Sequence, residues 1–149
     1  LLVDGNADAW RARLAFVPQT MRFLNASLKW NIALTGRPDL GRLNEALEQA
    51  AVRDVVERAP RGLETRLGEN GAGLSGGEAR RIAIARAIYS GADVVLADEP
   101  TADLDEVSAR LVTQGLMALK QSGVTLIVAT HDATLAAHMD QIVDLGAGQ

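Results

Sequence analysis

A parallel α/β fold with a helix-rich middle is predicted by three observations. Short apolar runs of strand length lie at 14–17, 94–97 and 124–129. Helical stretches follow the later runs with short connections, the order of a parallel sheet with crossover helices. Residues 23–90 carry mainly helical patterns and form a block set into that alternation.

Taken in order, Leu1-Leu2-Val3-Asp4-Gly5 reads as a strand and turn, and Leu14 to Val17 as a strand stopped by Pro18. From Asp39 to Arg58, the residues Leu40, Leu43, Leu47, Ala51 and Val55 recur at helical steps, so one helix is expected, ended by Pro60 and Gly62. Gly68 to Gly73, with three glycines in six residues, is a loop. Glu78 to Ser90 is a helix with Ile82, Ala85 and Tyr89 on one side and Gly91 as its stop. The strand Val94–Ala97 precedes a second amphipathic helix from Asp105 to Ser122, with Val107, Leu111 and Leu119 facing inward and Gly123 at its end. Val124 to Ala129 is the next strand. A short helix at 134–139 and a last strand at Ile142–Val143 complete the pattern. No internal repeat or low-complexity tract interrupts it.

Composition narrows the function classes. At 149 residues and 48% hydrophobic, the chain suits one domain or part of one, with enough apolar surface for a core. Its apolar runs are far too short to cross a bilayer as helices, so membrane association would come through a partner. There are no cysteines, which excludes disulfides and thiolate metal sites. A net charge of −4 and 3% aromatic residues argue against nucleic acid as a partner.

Chemistry concentrates in two places. Leu74-Ser75-Gly76-Gly77-Glu78 is a glycine-rich turn entering a helix. Ser75 with Glu78 fits a capping box and needs no other reason to be there. The glycine pair goes further, since it would let a phosphate approach the free N–H groups of the helix start. Val94 to Ala97 ends in adjacent carboxylates, Asp98 and Glu99, before Pro100. Strand alternation directs the two to different sides and suits them to different tasks. His131 follows the next strand, where a histidine can equally be a satisfied polar residue. Asp105 has the position of an N-cap for the helix after it. Arg80, Arg81 and Arg86 fit a solvated, salt-bridged face better than a nucleic-acid patch. His138 is expected at the surface.

These segments resemble, in order, the motifs of ATP-binding cassette (ABC) ATPases. Val17-Pro18-Gln19 is similar to the Q-loop and Leu74 to Glu78 to the signature LSGGQ, with Glu in place of Gln. Val94 to Glu99 resembles the Walker B strand, Thr101-Ala102-Asp103-Leu104-Asp105 the D-loop, and Thr130-His131-Asp132 the switch histidine. The resemblance implies a P-loop NTPase core with an inserted helical subdomain, divided into 1–22, 23–90 and 91–149. It implies ATP and Mg²⁺ as cofactors. Ser75, Gly76, Gly77 and Glu78 would meet the γ-phosphate of ATP held by a second nucleotide-binding domain, in a homo- or heterodimer, with Asp105 communicating across it. Asp98 and Gln19 would hold Mg²⁺, Glu99 would be the general base, and His131 and Gln19 would orient the water. A carboxylate at Glu78 places negative charge near phosphate.

The P-loop pattern GxxxxGK[ST] is not matched, because the two lysines, Lys29 and Lys120, each follow leucine. The chain therefore reads as an interior fragment or truncated product of a nucleotide-binding domain. By itself it is expected not to hydrolyse ATP and to expose a face of its sheet.

No sustained heptads separate the Q-loop from the signature, unlike coiled-coil DNA-repair ATPases. Phe23 to Leu28 with Asn31-Ile32, and Thr65 to Gly71 with Glu69, are similar to segments of ABC exporters, nearest in flavour to the bacterial pair required for cytochrome bd assembly. A transmembrane domain at the cytoplasmic side of the inner membrane is the partner implied. Met21 to Ile32, with Phe23 and Leu24 partly exposed, would meet it, and Glu69 would lie near the same interface. A soluble ABC ATPase of the repair or ribosome-associated type and a non-catalytic interaction module are the alternatives.

Overall fold

The computed structural model describes residues 7–68 and 73–146. The expected first strand and Glu69 lie outside the described residues. A helix at Ala7–Arg11 (α1) leads into a three-stranded parallel sheet, ordered β1 (Leu14–Val17), β2 (Val94–Asp98), β3 (Thr125–Ala129). Val17 pairs with Ala97, and Ala97 with Val128, so the strands end close to level.

Alternation gives the sheet two unlike faces. Val17, Val95 and Ala97 point into the core and are buried. On the other face Phe16, Leu96 and Ile127 form one registered row, and Phe16 and Ile127 remain more than half exposed. Parallel sheets normally have both faces covered. The exposed face expected from the sequence is present among the described residues.

Between β1 and β2 lie α2 (Leu28–Ala33), α3 (Leu40–Gln49), α4 (Arg53–Arg58), a 3₁₀ turn at Gly62–Glu64, and α5 (Gly76–Ser90). The single helix expected from 39 to 58 is two. After the C-cap Ala50, Ala51 turns left-handed at φ 51°, and the Val52 amide donates back to the Leu47 carbonyl while Ala51 donates to Glu48. That is a Schellman ending built on alanine instead of glycine, sealed by the fully buried Leu47 and Val52. The helical periodicity ran through the corner because no glycine marked it. Leu40, placed on the inner face by that pattern, is 62% exposed.

Helix α5 is the centre of the molecule. It packs on α2, α3, β1 and on α6 (Glu106–Gln121), and Ile82, Ala83, Ile84, Ala85 and Ala87 are all buried. A helix buried on nearly every side has no solvated face. The arginines expected there on a solvated face are accordingly inside or half inside. Arg80 and Arg81 are each 5% exposed, and Arg86 donates from Nε to the Asn31 carbonyl at 2.8 Å. Burial pushes the pKa of Arg86 down. Arg81 donates to the carbonyl of Ala51 and pairs with Asp54 at 2.9 Å, tying α5 to the corner between α3 and α4. Those bonds offset part of its desolvation cost, while its buried Nε has no hydrogen-bond partner.

Helix α6 turns Val112, Gly115, Leu116 and Leu119 inward. A Cβ on Gly115 would come 3.2 Å from Ile84 and 3.4 Å from Ala50, so the bare backbone permits α5, α6 and the α3 end to close on one another. Val107, expected inside, is 64% exposed because the first turn of α6 sets Ser108 against Gly77 of α5 and leaves Val107 outside that contact. After β3 comes a short α7 (Ala133–Ala136). Ile142 and Val143 form no strand and are exposed, since no ladder partner reaches them among the described residues.

Candidate functional site

Three of the expected site segments leave the carboxyl ends of neighbouring strands. Gln19 follows β1 by two residues, Glu99 follows β2 directly, and His131 follows β3 by two. Open parallel sheets bind ligands at this edge, because the loops diverge there from a rigid support.

At the end of β2, Asp98 pairs in register with Ala129 and its side chain is exposed. Glu99 donates its amide to the Ala129 carbonyl at 2.8 Å, then takes a left-handed backbone with φ 44°. For a residue with a Cβ that conformation costs roughly 1–2 kcal/mol. It ends the alternation of β2. Glu99 Oε1 lies 2.9 Å from Nδ1 of His131, and Thr130 Oγ1 donates to Oε2 at 3.4 Å. Glu99 is mostly covered, whereas the His131 ring is 80% exposed. The hydrogen bond and negative charge of Glu99 hold the His131 pKa above its ordinary 6.5.

Behind this pair stands a contact to which the sequence assigned no role. Thr101, 6% exposed, donates from Oγ1 to Asp132 Oδ2 at 2.8 Å. Asp132 Oδ1 meanwhile accepts from the amides of Thr134 at 2.8 Å and Leu135 at 3.3 Å, capping α7. The Thr101 bond leads the effects that lower the Asp132 pKa. The segment after Glu99 is thus fastened to the segment after His131. A D-x-x sequence before a short helix carries the cap signal; the Thr101 partner is long-range and has none.

The helix start is built differently. Ser75 Oγ accepts from the Glu78 amide at 3.2 Å, and Glu78 Oε2 accepts from the Ser75 amide at 2.8 Å, completing the capping box. Glu78 Oε1 accepts from Arg58 at 2.7 Å. Burial works to raise the Glu78 pKa, but Arg58 and the Ser75 amide outweigh it and the net direction is down. The glycines differ. A Cβ on Gly77 would fall 2.8 Å from Cβ of Ser108, so Gly77 has a packing reason of its own against α6. Gly76 is exposed, and a Cβ there would make only ordinary contacts. Ser75 and Gly76 share a pocket of about 210 Å³ with Gln19 and Arg80. The structure therefore brings Gln19 beside the signature-like turn as well as to the sheet edge.

Asp105 caps α6, accepting from the Ser108 amide at 2.9 Å and the Ser108 hydroxyl at 2.7 Å. The hydroxyl bond leads in lowering its pKa. Phe23, expected to be partly exposed, is a core residue at 5% exposure, while Leu24 beside it is 51% exposed. The divergence has a local cause. Buried Asn31 accepts from the Leu24 amide at 2.9 Å and donates to the carbonyls of Leu24 and Ser27, which fixes the turn and directs Phe23 inward.

The donor set at the sheet edge suits a hard cation. Asp98 and Gln19 offer oxygen ligands, and no group of three metal-binding side chains occurs among the described residues. Mg²⁺ commonly takes one or two protein oxygens and completes its shell with water and phosphate, so the residues fit it.

Comparison with known proteins bears on the fold and the family. The ATP-dependent lipid A-core flippase of Ralstonia nicotianae is 39% identical over 159 aligned residues, covering all of this chain and 27% of that protein. The flippase of the same name from Cupriavidus metallidurans is 40% identical over 143 residues, covering 93% of this chain and 24% of the relative. The chain thus spans about a quarter of the length of these curated relatives. A structure of a bacterial Atm1-family ABC exporter with ATP bound superposes with a TM-score of 0.76 at 33% identity, over 87% of this chain and 23% of that one. The family model described as ABC transporter matches residues 2–102, and the chain belongs to that family.

Proposed function

We propose that this chain is part of the nucleotide-binding domain of an ABC exporter, where it couples ATP binding and hydrolysis to export. The observation that carries the reading is the Glu99–His131 pair at 2.9 Å, on the sheet edge that also carries Gln19. In this reading Glu99 Oε accepts a proton from the water that attacks the γ-phosphorus, and the bond to the β-phosphate oxygen breaks. A positioned general base contributes typically ~10²–10⁴ in rate. His131 orients Glu99 and the water. Asp98 and Gln19 would hold Mg²⁺, which when bound would neutralise phosphate charge. Ser75, Gly76 and Gly77 offer the start of α5 to the γ-phosphate of ATP held by a second nucleotide-binding domain, and Asp105 lies on the segment that faces that partner.

The division into core 1–22, helical subdomain 23–90 and core 91–149 belongs to the same proposal. So does a place at the cytoplasmic side of the membrane. No helix among the described residues is long and apolar enough to cross a membrane. The exposed side chains of Leu24, Trp30 and Leu34 give the segment after Gln19 an apolar surface suited to the loops of a transmembrane domain. The two flippase relatives support the exporter class over a soluble ATPase.

The test uses the full-length protein that carries this segment. Glu99→Gln should lower kcat at least about a hundredfold with ATP affinity nearly unchanged, because it removes the base and keeps a hydrogen-bonding side chain. Asp98→Asn should weaken Mg²⁺-dependent binding as well. Undiminished turnover in Glu99→Gln overturns the assignment.

A further inference from the structure

We propose that Arg58 is a positioning residue that neutralises Glu78, so that a phosphate can approach the first turn of α5 despite a carboxylate at its third residue. The inference rests on the phosphate-facing role proposed above for Ser75 and Gly76.

Four charges lie in a row. Arg81 of α5 pairs with Asp54 at 2.9 Å, Asp54 with Arg58 at 3.0 Å, and Arg58 with Glu78 at 2.7 Å. Two cations and two anions balance. Glu78 is the covered member of the last pair at 13% side-chain exposure, whereas Arg58 is 62% exposed. The carboxylate is thus held at the helix start, where both oxygens are occupied: one by Arg58, the other by the Ser75 amide. An anion there already favours the helix N-terminus. It also cancels the positive end that a phosphate would use, and repels a polyanion directly. Arg58 supplies the compensating charge from outside, on a helix that Arg81 and Asp54 hold in place. The charged groups acting on Glu78 are Arg58 from α4 and Arg81 from its own helix, and Asp54 reaches it only through those two arginines. Arg58 does not touch the turn that would receive the phosphate; it acts through Glu78.

The role makes Arg58 necessary only while Glu78 is a carboxylate. Four forms of the chain decide it: wild type, Arg58→Gln, Glu78→Gln and the double variant. Glutamine at 78 can still complete the capping box, so that variant keeps the helix start. Titration of the Glu78 carboxyl carbon by NMR should give a midpoint below the ordinary Glu range in wild type and a higher one in Arg58→Gln. Thermal unfolding should show Arg58→Gln destabilised and the double variant largely restored. Inorganic phosphate, at matched ionic strength, should bind Arg58→Gln about 3–30-fold more weakly than wild type, the scale of one uncompensated charge near a dianion. The double variant should recover that affinity.

An unmoved Glu78 midpoint, or a double variant no better than Arg58→Gln, overturns the proposal and leaves Arg58 a partner of Asp54 alone. A moved midpoint with rescue, but no phosphate binding by any of the four, instead overturns the phosphate-facing reading of the turn. Arg58→Lys, which keeps the charge, should stay near wild type in all three measurements and guards against a mere folding defect in Arg58→Gln.

Discussion

The start of α5 and the carboxyl edge of the sheet are both proposed to meet phosphate, yet they are built in opposite ways. At the helix start the side chains of the turn are held: Ser75 and Glu78 bond each other, Arg58 holds Glu78, and Gly77 is pressed against Ser108. At the sheet edge Glu99 carries a strained backbone and its partner His131 stands in solvent. The first is a fixed surface. The second holds a strained, mostly covered Glu99 by its bonds to Ala129, Thr130 and His131, while the imidazole it meets is left open to solvent. The difference teaches that substitutions in the two places should fail differently, one through folding and the other through chemistry.

The largest stability effect should come from the segment that joins the two. Phe23→Ala should destabilise the chain by about 3–5 kcal/mol, the usual cost of emptying a buried aromatic site, while Leu24→Ala should stay within about 0.5 kcal/mol. Chemical denaturation of both variants reads this directly. In the full-length protein Leu24→Ala should lower transport more than basal ATPase. If Leu24→Ala destabilises as much as Phe23→Ala, the exposed surface assigned to that segment is wrong.

Gly77→Ala comes next, at about 1–3 kcal/mol for overpacking against Ser108, with Gly76→Ala smaller. Pairing Gly77→Ala with Ser108→Gly should recover part of the loss, because the clash is with that side chain. Without recovery, the packing account of Gly77 fails.

Asp132→Ala removes the α7 cap and the Thr101 contact together, and should cost about 1–2 kcal/mol. Thr101→Val should cost less and be nearly silent once Asp132 is gone. Additive losses in the double variant would mean that the two do not act as one fastening.

The smallest effect is a titration. His131 has a folded pKa above 6.5, raised first by its bond to Glu99. The pairing is therefore complete below the unfolded value and is lost as pH rises through the folded one. A ring-carbon NMR titration should place the midpoint above 6.5 and return it toward 6.5 in Glu99→Gln. No movement on that substitution would dissolve the pair as a unit.

Much of this was legible because it is local. The three strands, the Ser75–Glu78 box, the Asp105 cap and the Gly91 stop are written within a few residues of where they act. The corner at Ala51 was not, since its left-handed residue lacks the glycine that would announce it. Arg80 and Arg81 were misplaced for another reason. Charge says nothing of burial when the partners, such as Asp54 and the Ala51 carbonyl, lie some thirty positions away. Phe23 failed likewise: Asn31 turns it inward, and that bond network is a property of the folded turn. The candidate site residues were legible as a set through motif order, while the Thr101–Asp132 fastening and the Arg58–Glu78 pair became visible only in three dimensions.

The registered row of Phe16, Leu96 and Ile127 has a thermodynamic consequence. A surface laid on it would be held by release of water from apolar surface, with no charge in the row itself. Such a contact weakens on cooling and strengthens in sulfate or phosphate salts, opposite to an ion-paired joint. Cold and low salt would disfavour any such association of this face, while warmth and kosmotropic salt would favour it.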